Sequence, residues 1–150
     1  ANNMIVSNSG SGTSGMFVTL FFAKLYEKDR SLVYSNAGHN PPLLFRASTG
    51  SIEALEVTGP VLGMMEEMEY EQRKISLESG DILLLYTDGI VEAMNAKDEL
   101  FGLQRLRSSL ASAKRLRSQG IQDRILRDLE QFTDGEEQSD DITAIVIKAE

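Results

Sequence analysis

The sequence predicts an α+β domain in which antiparallel strands pack against helices. Segments rich in aromatic and β-branched residues lie toward both ends of the chain. Between two apolar strands of the second half lie two segments with the apolar spacing of helices. The chain of 150 residues is the size of one domain, and its hydrophobic fraction of 41% is enough to form a core.

The first half of the chain is expected to form strands after a flexible start. Residues 1–15 are predicted to be the tail of a helix followed by a flexible Gly/Ser-rich segment. Met16–Tyr26 is predicted to be a long strand, and the polar run Glu27–Arg30 is predicted to be a hairpin turn. Asn36–Pro42 is expected to be irregular because paired prolines remove backbone donors. The other strands expected in this half are Leu32–Ser35, Leu43–Arg46 and Glu69–Leu77.

The second half is expected to combine two buried strands with two helices. Ile82–Tyr86 is a continuous apolar run, which is typical of a strand buried on both faces. Two apolar stripes with i, i+3 or i+4 spacing predict the helices, and Ile142–Ile147 is predicted to be a second buried strand. The stripe residues are Leu103, Leu106 and Leu110 in the first helix and Ile121, Ile125, Leu129 and Phe132 in the second.

Residue counts exclude several kinds of chemistry. The absence of cysteine excludes disulfides, thiolate zinc sites and a cysteine nucleophile. The single histidine, His39, excludes a multi-histidine metal site within the chain. The formal net charge of −8 argues against nucleic acid or an anionic membrane as the main partner. Because no apolar run reaches membrane-spanning length and no secretory leader is present, a cytoplasmic location is expected.

Two acidic motifs are candidates for a metal site. Asp88 stands where a predicted buried strand ends, and the glycine after it allows a sharp turn; an ordinary Asp-Gly turn is the alternative. Asp140 and Asp141 begin the last predicted strand, and adjacent carboxylates placed against a core are costly unless a cation compensates them. Mg²⁺ and Mn²⁺ prefer oxygen ligands of this kind, whereas the alternative is a solvated acidic loop.

Two further segments have both a structural and a functional interpretation. Asn36–Pro42 contains His39, which is expected to be a hydrogen-bonded structural residue more often than a catalyst. Phe101–Gln119 holds five basic residues and no acidic ones, which favours a solvated helix face or, alternatively, a docking surface for an acidic partner. The five are Arg105, Arg107, Lys114, Arg115 and Arg117.

Taken in order, these segments resemble the SpoIIE/RsbU-type bacterial serine phosphatases, a branch of the metal-dependent (PPM, type 2C) protein serine/threonine phosphatases. The resemblance covers about Met16–Lys148 and implies an antiparallel β-sandwich flanked by helices. The chain is expected to lack the N-terminal strands of that fold. The matching motifs are Met16–Leu20, Asn36–Pro42, Gly80–Ala93, Phe101–Gly102 and Asp140–Thr143.

The resemblance also implies a chemistry for the acidic motifs. Members of the family use two metal ions, usually Mn²⁺ or Mg²⁺, to activate a water that attacks phosphoserine or phosphothreonine. Asp141 stands where many relatives have asparagine, and no residue is assigned to substrate binding. The resemblance implies metal ligation at Asp88, Gly89, Asp140 and Asp141, catalysis at Asp88 and Asp140, and a site rim at Gly38, His39 and Asn40.

The chain departs from the family pattern at its start. Nothing before Met16 matches the earlier Asp-Gly motif whose aspartate bridges both metals, so weak metal binding is expected of this chain alone. One predicted function is metal-dependent dephosphorylation of a regulatory protein of the anti-sigma-antagonist type, in stress or sporulation signalling. The alternative is a non-catalytic binding or dimerisation module. Unpaired strand edges, above all Met16–Tyr26, further predict a homodimer or a swapped arrangement.

Overall fold

A computed structural model describes residues 2–8, 17–138 and 140–150, except for the side chains of Ser7 and Asn8. The chain divides into two compact units, Ala1–Pro41 with Leu55–Leu77 and Pro42–Ala54 with Glu78–Glu150. No helix within the described ranges is long and apolar enough to cross a membrane. The elements, in chain order, are α1 Asn2–Asn8, β1 Leu20–Tyr26, β2 Ser31–Ala37, β3 Leu43–Phe45, β4 Ile52–Ala54, β5 Arg73–Ser76, β6 Ile82–Tyr86, α2 Asp88–Val91, α3 Gly102–Ser112, α4 Ser118–Thr133 and β7 Ala144–Lys148.

The first unit is built on the predicted β-hairpin. β1 pairs with β2 in antiparallel register from one end to the other. The two strands are joined by a turn in which the Arg30 N–H donates to the Glu27 carbonyl at 3.2 Å. β5 pairs with the opposite side of β2, which gives the order β1–β2–β5 and leaves β1 at an edge of this sheet. The hairpin predicted from the sequence is therefore confirmed.

Strand boundaries in this unit differ from the sequence prediction. β1 begins at Leu20, and Met16 lies outside the described residues. β2 continues to Ala37, two residues into the predicted irregular loop, because the prolines come only later in that loop. The backbone then turns at Gly38, which has a φ of +71°. β5 keeps four residues of the predicted strand Glu69–Leu77, since only those pair with β2.

The second unit is a four-stranded antiparallel sheet with helices packed against it. The strand order is β4–β3–β6–β7, and every neighbouring pair is antiparallel. Alternate residues of β3 and β6 join apolar residues of α2, α3 and α4 in one hydrophobic core. That core includes Leu43, Phe45, Ile82, Leu84, Tyr86, Ile90, Leu106, Leu110, Ile121, Ile125 and Leu129. Two antiparallel sheets with helices confirm the predicted α+β class.

The structure corrects several details of this unit. β7 begins at Ala144, so Ile142 precedes the strand. Ile145 is 52% exposed, and the predicted burial of this strand on both faces is therefore wrong. Leu103 of the first predicted stripe is also exposed, because only Leu106 and Leu110 of that stripe face the core. The short elements β4 and α2 have too few residues to show a period, and the sequence did not predict them.

A buried carboxylate fixes the start of β6. The side chain of Asp81 is fully buried and accepts a hydrogen bond from Arg46 Nη1 at 3.0 Å. It also accepts hydrogen bonds from the main-chain N–H groups of Ala47, at 2.8 Å, and Glu78, at 3.1 Å. Because both oxygens have partners, the cost of burying this charge is offset by hydrogen bonds and by the arginine.

Candidate metal centre

The two acidic motifs lie beside each other because β6 and β7 are neighbouring antiparallel strands. Tyr86, the last residue of β6, is opposite Ala144, the first residue of β7. The segment that leaves β6 and the segment that enters β7 therefore meet at the same end of the sheet. The sequence predicted strands in both places, but only their pairing brings together motifs about fifty residues apart.

Thr87 ties the two segments together. Its main-chain N–H donates to the Thr143 carbonyl at 3.1 Å. Its hydroxyl donates to the Asp141 carbonyl at 2.8 Å and accepts from the Thr143 N–H at 2.9 Å. A hydroxyl that donates and accepts at once fixes the relative position of both segments. Thr87 was not predicted from the sequence, where its one signal is its place beside Asp88 in the Tyr-Thr-Asp-Gly motif.

Gly89 allows the two backbones to approach closely. A Cβ atom built at this position would lie 2.6 Å from the Asp141 carbonyl oxygen and 3.0 Å from that of Asp140. Both distances are shorter than ordinary van der Waals contact, so any side chain larger than hydrogen would push the segments apart. Gly89 is not among the glycines with positive φ, so space rather than backbone conformation requires a glycine here.

The carboxylates of the two motifs are exposed. Asp88 is the first residue of α2, and Asp140 accepts a hydrogen bond from the main-chain N–H of Asp141 at 2.7 Å. Asp88, Asp140 and Asp141 all lie at the surface. Of the two alternatives that the sequence left open for Asp140 and Asp141, the structure therefore favours a solvated acidic loop over carboxylates placed against the core. Because all three carboxylates are exposed, none of them is a buried charge that a cation would have to offset.

The oxygen donors of this centre fit Mg²⁺ or Mn²⁺, but they supply only part of a ligand set. Carboxylate and carbonyl oxygens are the ligands that these hard cations prefer. Within the described ranges, however, no three His, Asp or Glu side chains are grouped so that they could hold an ion. Asp88 and Asp140 are therefore candidates for two ligands of a larger set.

The predicted rim residues Gly38, His39 and Asn40 lie in the first unit and are half-buried. The fully buried Asn36 holds their loop, because its side chain accepts from the His39 N–H at 2.8 Å and donates to the His39 carbonyl at 3.0 Å. The His39 ring Nδ1 lies 3.3 Å from the Thr19 hydroxyl. Two of these contacts use the His39 backbone and one uses its ring, so they hold the loop in place, and a site rim at Gly38, His39 and Asn40 stays a prediction.

The chain belongs to the SpoIIE family. The profile of the family described as Stage II sporulation protein E (SpoIIE) matches residues 1–150. This match extends beyond the segment that carried the resemblance in the sequence, because it also includes the first fifteen residues. The recognition made from the ordered motifs is therefore confirmed.

Two longer relatives match the chain over part of their own length. Protein IcfG of Synechocystis sp. is 36% identical over 136 residues, which are 91% of this chain and 21% of that protein. The phosphoserine phosphatase RsbU of Bacillus subtilis is 30% identical over 138 residues, which are 90% of this chain and 40% of RsbU. The chain thus spans less than half the length of either relative.

A solved structure supports the same fold. The chain is similar to the phosphatase domain of SpoIIE from Bacillus subtilis, in a crystal presoaked with manganese, with a TM-score of 0.65 and 20% sequence identity. The similarity covers 87% of this chain and 56% of that one. The chain therefore has the fold of a PPM-type phosphatase domain over the part that it represents.

Proposed function

We propose that this chain is part of a metal-dependent phosphatase that hydrolyses phosphoserine or phosphothreonine on a regulatory protein. The observation that carries the proposal is the juxtaposition of two acidic motifs, Asp88–Gly89 and Asp140–Asp141, by the hydrogen bonds of Thr87. Membership of a family that includes proteins named phosphoserine phosphatases supports the same activity. An anti-sigma-antagonist type of substrate, in stress signalling in the cytoplasm, is part of the proposal.

Each residue of the centre has a distinct role in this proposal. Divalent ions, when bound, supply a water that is acidic enough to act as the nucleophile. Asp88 and Asp140 provide carboxylate ligands from two different segments. Gly89 leaves the space that lets these segments meet, and Thr87 holds the Asp141 carbonyl on the α2 side. Asp141 offers a further oxygen at the surface.

Substitution of the two aspartates tests the proposal. Asp88→Asn and Asp140→Asn, made in the intact protein, should each abolish Mn²⁺-dependent release of phosphate from a phosphoserine protein. The amide keeps the size of the side chain and removes its charge. Asp123→Asn, an exposed carboxylate on α4, is the matched control and should leave the rate unchanged. Undiminished activity of either aspartate variant would refute the assignment.

A non-catalytic module is the second candidate function. It is favoured by the absence of three grouped ligand side chains within the part of the chain that the structure describes. Isothermal calorimetry with Mn²⁺ separates the two candidates. Tight binding of two ions that is lost in Asp88→Asn supports the phosphatase, whereas no heat of binding by the intact protein supports the module.

A homodimer formed through β1 is also proposed. β1 lies at an edge of its sheet, and its side chains Leu20 and Phe22 are 41% and 64% exposed. Lys24 is its one charged residue, so a single charge opposes pairing of this edge with another strand. Light scattering should show a mass that rises with concentration and falls in Phe22→Lys. A concentration-independent monomer would contradict this proposal.

A further inference from the structure

An open groove lies between α3 and α4, within the second unit and outside the proposed metal centre. Its volume is about 820 Å³. The lining residues of each helix span two turns, from Gln104 to Ser112 and from Arg124 to Phe132, which corresponds to a length of about 12 Å. That length accommodates about four residues of an extended peptide.

The one acidic residue among the described residues that line the groove is already fully paired. Asp128 accepts a hydrogen bond from Arg124 Nε at 2.8 Å through one carboxylate oxygen. Its other oxygen accepts from the hydroxyl of the buried Ser109. Because Arg124 balances the charge of Asp128, the groove keeps the positive charge of Arg105.

Two arginines supply an excess of donors in the same groove. Arg105 uses Nη1 to donate to the carbonyls of Leu100 and Phe101, at 2.9 and 3.1 Å, and its guanidinium lies 4.5 Å from the centre of the Phe132 ring. These contacts fix its orientation. Among the hydrogen bonds of the described residues, Arg105 uses neither Nε nor Nη2, and Arg124 uses neither Nη1 nor Nη2. An arginine carries five N–H donors, so most of those in the groove are available to a ligand.

We infer that the groove between α3 and α4 binds an acidic peptide segment of a partner protein. Guanidinium groups pair with carboxylates through two parallel hydrogen bonds, and the unused donors of Arg105 and Arg124 are of this kind. An open trough does not enclose a small molecule, whereas an extended peptide can lie along it. Because the whole chain carries a net charge of −8, attraction of an acidic segment must come from this groove and not from the overall charge.

The test is fluorescence anisotropy of the full chain with a labelled peptide of alternating Glu and Ser, compared with a peptide in which Gln replaces each Glu. The Glu peptide should bind and the Gln peptide should not. Arg124→Gln should weaken binding by about fivefold, the upper range for an exposed ion pair. Arg127→Gln, an exposed arginine of α4 that does not line the groove, is the matched control and should retain affinity.

Several outcomes would overturn the inference, the first being that the Glu peptide fails to bind. Equal losses in Arg124→Gln and Arg127→Gln would show a nonspecific charge effect, and displacement of the peptide by an equal charge of inorganic phosphate would show a phosphate site instead. Asp128→Asn tests the effect of charge on peptide binding. It removes the negative charge of the groove, and its amide oxygen can still accept a hydrogen bond from Arg124. Tighter binding by this variant supports the inference, and weaker binding contradicts it.

Discussion

Replacing Gly89 with alanine tests whether the two acidic motifs are held in close contact. The new Cβ atom would lie 2.6 Å from the Asp141 carbonyl oxygen, so the segments must separate by about 0.8 Å to reach the ordinary contact distance of 3.4 Å. The obstructing atom belongs to the backbone and cannot rotate away. Overpacking of this kind costs about 1–3 kcal/mol, and alanine returns about 1 kcal/mol of helix propensity in α2. We expect a net loss of about 1 kcal/mol.

Urea unfolding followed by circular dichroism measures this loss. Gly120→Ala in α4 is the control, because its nearest obstruction, the Leu116 Cβ at 3.2 Å, needs to move only a few tenths of an ångström and lies just before the helix begins. The free energy of unfolding of this control variant should be unchanged or slightly raised. Mn²⁺ affinity of Gly89→Ala should fall together with its stability, since the Asp140–Asp141 segment is displaced. A Gly89→Ala protein with unchanged stability and unchanged Mn²⁺ affinity would refute the close contact.

Three further substitutions test the surrounding structure. Asp81→Asn should lower the free energy of unfolding by about 2 kcal/mol, because its amide group cannot accept all of the hydrogen bonds that the buried carboxylate accepts from Arg46, Ala47 and Glu78; an unchanged urea midpoint would argue against this role. Asn36→Ala should cost about 2 kcal/mol, because two hydrogen bonds to the His39 backbone are lost at a fully buried position; thermal unfolding measures the change, and a shift no larger than that of a surface variant would contradict it. Burial raises the pKa of Tyr86 above its usual 10.0, so the stability from its neutral phenol is fully present below pH 10 and is lost as pH rises through the folded-state pKa. Urea midpoints of Tyr86→Phe should therefore fall less above pH 10 than those of the unaltered protein, and parallel pH profiles would contradict this.

Long apolar patterns predicted the fold better than short ones did. Ile82–Tyr86 became β6 with the predicted bounds, and the stripe from Ile121 to Leu129 faces the core. Elements as short as α2 and β4 contain too few residues to show a repeating spacing of apolar side chains. Their formation therefore depends on tertiary contacts, which the sequence pattern does not show. The composition of β7 could not show that Ile145 is exposed, because an apolar run does not reveal how many faces are covered.

The candidate site was only partly visible in the sequence. The motifs around Asp88 and Asp140 were recognised, but the contacts of Thr87 and Gly89 that join them depend on strand pairing. Exposure of Asp140 and Asp141 was one of two alternatives that the sequence left open, because a motif shows residue types and not their environment.

The basic residues of Phe101–Gln119 make different contacts in the structure. Arg107 Nη1 lies 3.4 Å from the Ile52 carbonyl, and Lys114 lies 5.7 Å from the centre of the Phe45 ring, whereas Arg105 lines the groove. Composition alone could not distinguish the roles of these three residues. Each role depends on which side of the helix, or of the turn after it, the residue lies.

A double-mutant cycle on Mn²⁺ binding tests the central claim most directly. Calorimetry on the intact protein would compare Asp88→Asn, Asp140→Asn and the double variant. If both carboxylates ligate the same ion or ion pair, each single variant should lose most of the binding free energy and the double variant little more. Losses that simply add, or full Mn²⁺ affinity in either single variant, would contradict the claim that these two aspartates share a metal centre.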